Sequence, residues 1–176
     1  MKMKRLVLVF SFVWLFVSCQ GNKSELIKQL EQGIQSCDSM QELAKNELTI
    51  HQISETLNSC KQQYVLLKMD LVDDTLKVED ALKIDVFVTA YKNAISLDKE
   101  WIACIHAADV SEARQKSLKM DIESNAGDRA QYVPNVLFEQ REVQQIRNGL
   151  KEVQQKLNTL LDAQAGLEPV LSSLYP

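Results

Sequence analysis

The chain opens on a short basic segment, Lys2, Lys4 and Arg5, and passes at once into an apolar run, Leu6 to Val17, that only Ser11 interrupts. Ser18 and Cys19 follow, and then Gln20-Gly21-Asn22-Lys23-Ser24-Glu25, which is abruptly polar. The run is shorter than the roughly 20 apolar residues a transmembrane helix needs. Its length and flanks suit the hydrophobic region of a signal peptide. The pattern predicts a cleaved signal peptide over 1–18, a tether over 19–25 and a folded domain over 26–176.

Beyond the tether, apolar residues recur at helical spacing. Leu26, Ile27, Leu30, Ile34 and Cys37 mark one helix face. Ile50, Ile53, Leu57, Cys60, Tyr64, Leu67 and Leu71 mark a second, out of phase with the first. One helix over 24–72 would be about 73 Å long at 1.5 Å per residue, longer than any segment that must pack beside it. A break is therefore expected within 38–49, where Ser39 with Glu42 and Thr49 with Gln52 have capping-box spacing. Val72 to Thr75 reads as a connection. A third helix is expected over 79–107, with Leu82, Val86, Tyr91, Ile95, Ile102 and Ile105 among its apolar residues. Asp109 and Glu112 mark the start of a shorter helix through Asn125, and Asn125-Ala126-Gly127 marks its end, with Gly127 suited to the left-handed conformation.

The last long helix is the most regular. Val136, Val143, Leu150 and Leu157 recur every seven residues, and Ile146, Val153 and Leu160 do so on the adjoining row. Pro134 is placed in its first turn. Gly166 and Pro169 end or interrupt it, so that Val170, Leu171 and Leu174 form a short apolar tail folding back on the rest. The expected fold is all-α: an antiparallel bundle of about five long helices plus a short C-terminal helix. Packing within one chain accounts for the heptads, and a homomeric coiled coil uses the same spacing, so a homo-oligomer stays open.

Composition agrees with this reading. Five Gly and three Pro are too few for a turn-rich all-β chain. The net charge of −4 becomes about −7 once Lys2, Lys4 and Arg5 leave with the signal peptide. That balance excludes nucleic acid as a partner, since phosphate backbones require a basic face. It also excludes adhesion to anionic lipid by charge alone.

The segment Leu15-Phe16-Val17-Ser18-Cys19 resembles the bacterial lipobox in a relaxed form, with Phe16 where Leu is usual and Leu15 one place early. The resemblance implies cleavage before Cys19 and a diacylglyceryl group on its thiol, with a third acyl chain on the new amine. Two or more acyl chains give stable membrane attachment where one is marginal. Gln20 is not the Asp that retains some lipoproteins in the inner membrane, which points to the outer membrane. Two further stretches carry a second resemblance: Asp74-Thr75-Leu76-Lys77-Val78-Glu79-Asp80-Ala81-Leu82 leading to Tyr91-Lys92, and Leu118-Lys119-Met120-Asp121-Ile122-Glu123-Ser124-Asn125 followed by Tyr132 and Phe138-Glu139. With the N-terminus they resemble small, uncharacterised all-helical lipoproteins of the Bacteroidota. This implies an envelope-anchored helical domain and supplies no functional residue.

With Cys19 assigned to lipid, Cys37, Cys60 and Cys104 remain in a compartment that permits disulfides. In a hairpin turning near residues 48–49, Cys37 and Cys60 lie level with each other. A Cys37–Cys60 disulfide is one expectation, and three buried free thiols acting as small hydrophobes is the other. His51 and His106 have no second ligand at metal-site spacing, and Cys104 and His106 diverge on a helix. Asp73, Asp74, Glu79, Asp80 and Asp85 cluster where a solvated helix start is expected and lack the order of a calcium-binding loop. There is no Gly-rich phosphate loop and no nucleophile elbow. Trp101 reads as core, although an apolar cavity beside it would mark a ligand site. No catalytic, cofactor-binding or metal residue is assigned. The expected function is a non-enzymatic structural or interaction role for a lipoprotein that binds an envelope protein through a helix face. The alternative is a module that binds a hydrophobic small ligand.

Overall fold

The structure, a computed structural model, describes residues 23–46, 50–70 and 76–175; the expected signal segment and Cys19 lie outside them. The described elements are long α-helices packed as a bundle: α1 (Lys23–Asn46), α2 (Ile50–Asp70), α3 (Val78–Ala94), α4 (Leu97–Ser124) and α5 (Arg129–Leu174). Among the described residues there is no strand. The all-α expectation holds, while several boundaries move.

The first described helix already includes Lys23, Ser24 and Glu25, which the sequence reading placed in a tether. α1 continues through most of the expected break. Ser39 does not cap a helix; its Oγ donates to the Gln35 carbonyl at 2.8 Å inside one. The expected 79–107 helix divides at 95–96 instead of near 108. Ile95 there keeps φ −61° and ψ −20°, a nearly helical conformation that needs neither Gly nor Pro. Ser96 Oγ donates to Glu100 Oε1 at 2.6 Å, and the Glu100 amide donates to the Ser96 carbonyl at 2.9 Å, which fixes the head of α4. Asp109 starts nothing, because the buried positions of α4 run on in phase through Trp101, Ala108, Ser111, Gln115 and Ile122.

The end of α4 turns on Asn125, at φ 55°, rather than on Gly127. The Ala126 amide donates to the Asp121 carbonyl at 3.0 Å and the Asn125 amide to that of Ile122 at 3.3 Å, the pair of bonds of a Schellman ending. Asp128 then caps α5, its Oδ1 accepting from the Ala130 amide at 3.0 Å. Pro134 therefore lies beyond the first turn. α5 passes through Gly166 and Pro169 to Leu174, so there is no separate C-terminal helix. Burial of Leu160, Leu167 and Val170 on one stripe outweighs the roughly 3 kcal/mol that an interior proline costs.

The chain divides into two compact units, to both of which α1, α4 and α5 contribute residues. Unit 1 holds the described residues through Ser39 together with Ala108–Gln145, and unit 2 holds those in Met40–Ala107 and Ile146–Pro176. In unit 1, Leu26, Leu30, Ile122, Tyr132 and Val136 form the apolar core. α1 runs antiparallel to α4, as the Lys119–Glu31 ion pair at 2.7 Å and the Lys23 Nζ bond to the Glu123 carbonyl at 2.8 Å require. The Tyr132 hydroxyl donates to the Asp121 carbonyl and accepts from the Gly127 amide, both at 3.0 Å, closing the α4–α5 turn.

The unit 2 core is larger and draws on α2 (Ile53, Cys60, Leu67), α3 (Ile84, Phe87, Tyr91), α4 (Leu97, Trp101) and α5 (Val153, Leu157, Leu160, Leu167). The Tyr64 and Tyr91 rings meet at 5.0 Å between centroids, within the favourable aromatic range. For α3 the sequence expectation named apolar residues without choosing a buried face. Ile84 and Phe87 point inward beside Tyr91, whereas Leu82, Val86 and Ile95 are exposed. Apolar residues occupy both faces of this helix, so periodicity alone did not choose between them.

Candidate functional site

Of the residues singled out from sequence, Cys19, Asp73 and Asp74 lie outside the described residues. Cys37, Cys60 and Cys104 are free thiols, so the Cys37–Cys60 bridge is not formed. That expectation paired α1 and α2 as a level hairpin. Cys37 instead belongs to unit 1 and Cys60 to unit 2. Burial pushes the Cys60 thiol up to about 11. Burial also raises Cys37, against an opposing hydrogen bond from Ser111, and raises Cys104 with help from the Glu100 and Glu152 carboxylates. Such thiols hold little thiolate at neutral pH and are poor nucleophiles.

His51 is exposed, with Nε2 3.1 Å from Glu55 on the same helix, and His106 is exposed on α4. Among the described residues no three His, Cys, Asp or Glu side chains converge as a metal site. Glu79 and Asp80 stand in the first turn of α3, where negative charge complements the helix dipole. Trp101 is buried in the unit 2 core.

Two features went unread in the sequence. The first is a buried polar layer in unit 1. Ser111 and Gln115 occupy core positions of α4, and Glu139 occupies one of α5. Ser111 Oγ donates to Glu139 Oε2 at 3.0 Å, and Gln115 Nε2 donates to Ser111 Oγ at 3.1 Å and to Cys37 Sγ at 3.7 Å. Arg114 Nε lies 2.9 Å from Glu139 Oε1, and its Nη2 lies 3.5 Å from Glu142. Gly33 of α1 makes room for this layer, since a Cβ there would stand 1.8 Å from Gln115 Oε1. Within the layer the Ser111 hydroxyl and the Glu139 carboxylate are both buried. The layer ties α4 to α5 through the Glu139 carboxylate, and removing one partner of such a buried pair costs about 3–5 kcal/mol. One signal was present: the row Ile146, Val153, Leu160 extended back seven residues lands on Glu139.

The second feature is a surface groove in unit 2. Leu82, Lys83 and Val86 of α3 form one wall, and Thr159, Asp162, Ala163 and Gly166 of α5 form the other, around a volume of about 370 Å³. Leu82 is 64% and Val86 51% exposed, and Val78, one turn before them, is 86% exposed. The floor is low because Ala163 and Gly166 are small; a Cβ at Gly166 would meet nothing within 4 Å. The sequence reading names Leu82 and Val86 among the apolar residues of this helix without choosing its buried face.

No protein-family model, curated protein or solved structure matches this chain.

Proposed function

We propose that this chain is a bacterial lipoprotein, held at the outer membrane by acyl chains on Cys19, that acts without catalysis by docking another protein on a helix face. The observation that carries the anchor is the apolar run Leu6–Val17 ending on Ser18-Cys19 behind a basic start. None of the described helices is long and apolar enough to cross a membrane, which is compatible with a lipid anchor. The docking role draws on the apolar α3–α5 groove of unit 2. Leu82 and Val86 expose large apolar side chains one turn apart along its edge, which supports this role. The non-catalytic part draws on thiols raised by burial and on a polar layer whose charges are spent on one another.

The alternative occupant of the groove is a hydrophobic small molecule, favoured by its volume, which falls in the range of ligand pockets. Two measurements on the full chain test these readings. Cys19→Ser is expected to abolish fatty-acid labelling and to release the protein from the membrane fraction; an uncut, unlabelled wild-type chain overturns the anchor. A photo-crosslinker at Val86 is expected to give protein adducts in intact cells. Adducts to lipid or metabolite alone would replace the docking role by ligand binding.

A further inference from the structure

We propose that the partner docked on the α3–α5 groove is the same groove of a second copy of this chain, in a two-fold symmetric dimer. The inference rests on the reading that this face docks a protein, and it names the partner. The patch is complementary to itself in shape and in charge. The α3 wall is a ridge of exposed Val78, Leu82 and Val86, and the α5 wall is low at Thr159, Ala163 and Gly166. Lys83 stands on the first wall and Asp162 on the second.

A two-fold axis running along the groove lays α3 of each copy over α5 of the other. The ridge of each then fills the low floor of its partner, and each Lys83 faces an Asp162 across the interface, twice. Self-complementarity of this kind is what an isologous interface requires. A different partner would have to supply its own groove for the Leu82 ridge and its own pair of opposite charges. Lys83 has a loose 3.9 Å contact with the half-buried Asp80 on its own helix, and a surface pair at that distance is given up at little cost. The overall negative charge of the chain does not forbid the dimer. Charges more than a Debye length of about 8 Å from the interface are largely screened at physiological salt, and the groove lining carries one charge of each sign, Lys83 and Asp162.

Two differently tagged full-length copies expressed in one cell provide the test, read as co-purification of one tag with the other. Wild-type copies are expected to co-purify. Lys83→Asp copies paired with one another, and Asp162→Lys copies paired with one another, are expected to lose about tenfold or more, because like charges then face each other twice. A Lys83→Asp copy paired with an Asp162→Lys copy is expected to recover, since both cross-copy pairs are again opposite in sign. Recovery in the mixed pair also shows that both variants fold. Absence of wild-type co-purification, or a mixed pair no better than the matched variants, overturns the proposal. The crosslinker at Val86 separates the two levels of failure. Adducts to another protein and none to a second copy leave the docking role standing and remove self-association, whereas no protein adduct removes both.

Discussion

At the scale of single residues, the most informative position is a glycine. In the interior of a helix, Gly→Ala ordinarily stabilises by up to about 1 kcal/mol. At Gly33 the added methyl would meet Gln115 Oε1 at 1.8 Å. Gln115 has little room to withdraw, being 1% exposed and held by Ser111 and Cys37. Gly33→Ala is therefore expected to destabilise, by about 1–3 kcal/mol, as overpacking does. Gln115→Ala removes the obstructing amide, and in that background Gly33→Ala is expected to be neutral or stabilising. A double-mutant cycle by urea denaturation measures the coupling. Additive effects would mean that the methyl and the amide do not compete for one space. The same logic places Cys104 beside Gly149, where a Cβ would lie 2.9 Å from the Cys104 Sγ, so small residues are used twice to seat a larger group on a facing helix.

At the scale of elements, what could be read from the sequence depended on whether one physical signal acted alone. α5 was legible because a single stripe is buried along it, from Val136 through Val153 to Leu160. The α3–α4 break was not, because Ile95 stays near helical geometry and leaves no Gly or Pro to announce it. Asn125 took the left-handed position because it closes the last turn of α4, which leaves Gly127 free to donate its amide to Tyr132. The groove was invisible because α3 is apolar on two faces and only the packed structure chooses Ile84 and Phe87 over Leu82 and Val86. The break at 95–96 carries a prediction of its own. The Glu100 carboxyl is held below the ordinary carboxylate range, first by the Lys156 ammonium at 2.8 Å and then by the Ser96 hydroxyl. A folded-state pKa below the unfolded one contributes stability that is present above the unfolded value and is lost as pH falls through the folded value. Urea midpoints of the wild type are thus expected to decline through the acid side of the carboxylate range more steeply than those of Glu100→Gln. Parallel declines would show that Glu100 gains nothing from its partners at the head of α4.

At the scale of the whole molecule, the two units are built on different principles, and that difference is measurable. Unit 2 is held by an apolar cluster that includes Phe87, Leu97, Leu160 and Leu167, and burial of each such side chain contributes about 1.5–3 kcal/mol. Unit 1 has a smaller apolar core, Leu26, Leu30, Ile122, Tyr132 and Val136, and relies in addition on the layer centred on Glu139. Removing that carboxylate leaves the buried Ser111 hydroxyl without its acceptor and Arg114 without its closest anion. Truncation of a buried charged partner costs about 3–5 kcal/mol, and the loss is local where a protein opens in separate cooperative pieces. Glu139→Ala is accordingly expected to speed native-state amide exchange at the unit 1 positions around Leu30 and Ile122. Exchange around Phe87 and Leu160 in unit 2 should stay close to the wild-type rate. Equal acceleration in both would mean that the chain opens as one cooperative body, in which case the polar layer supports every helix of the bundle and not unit 1 alone.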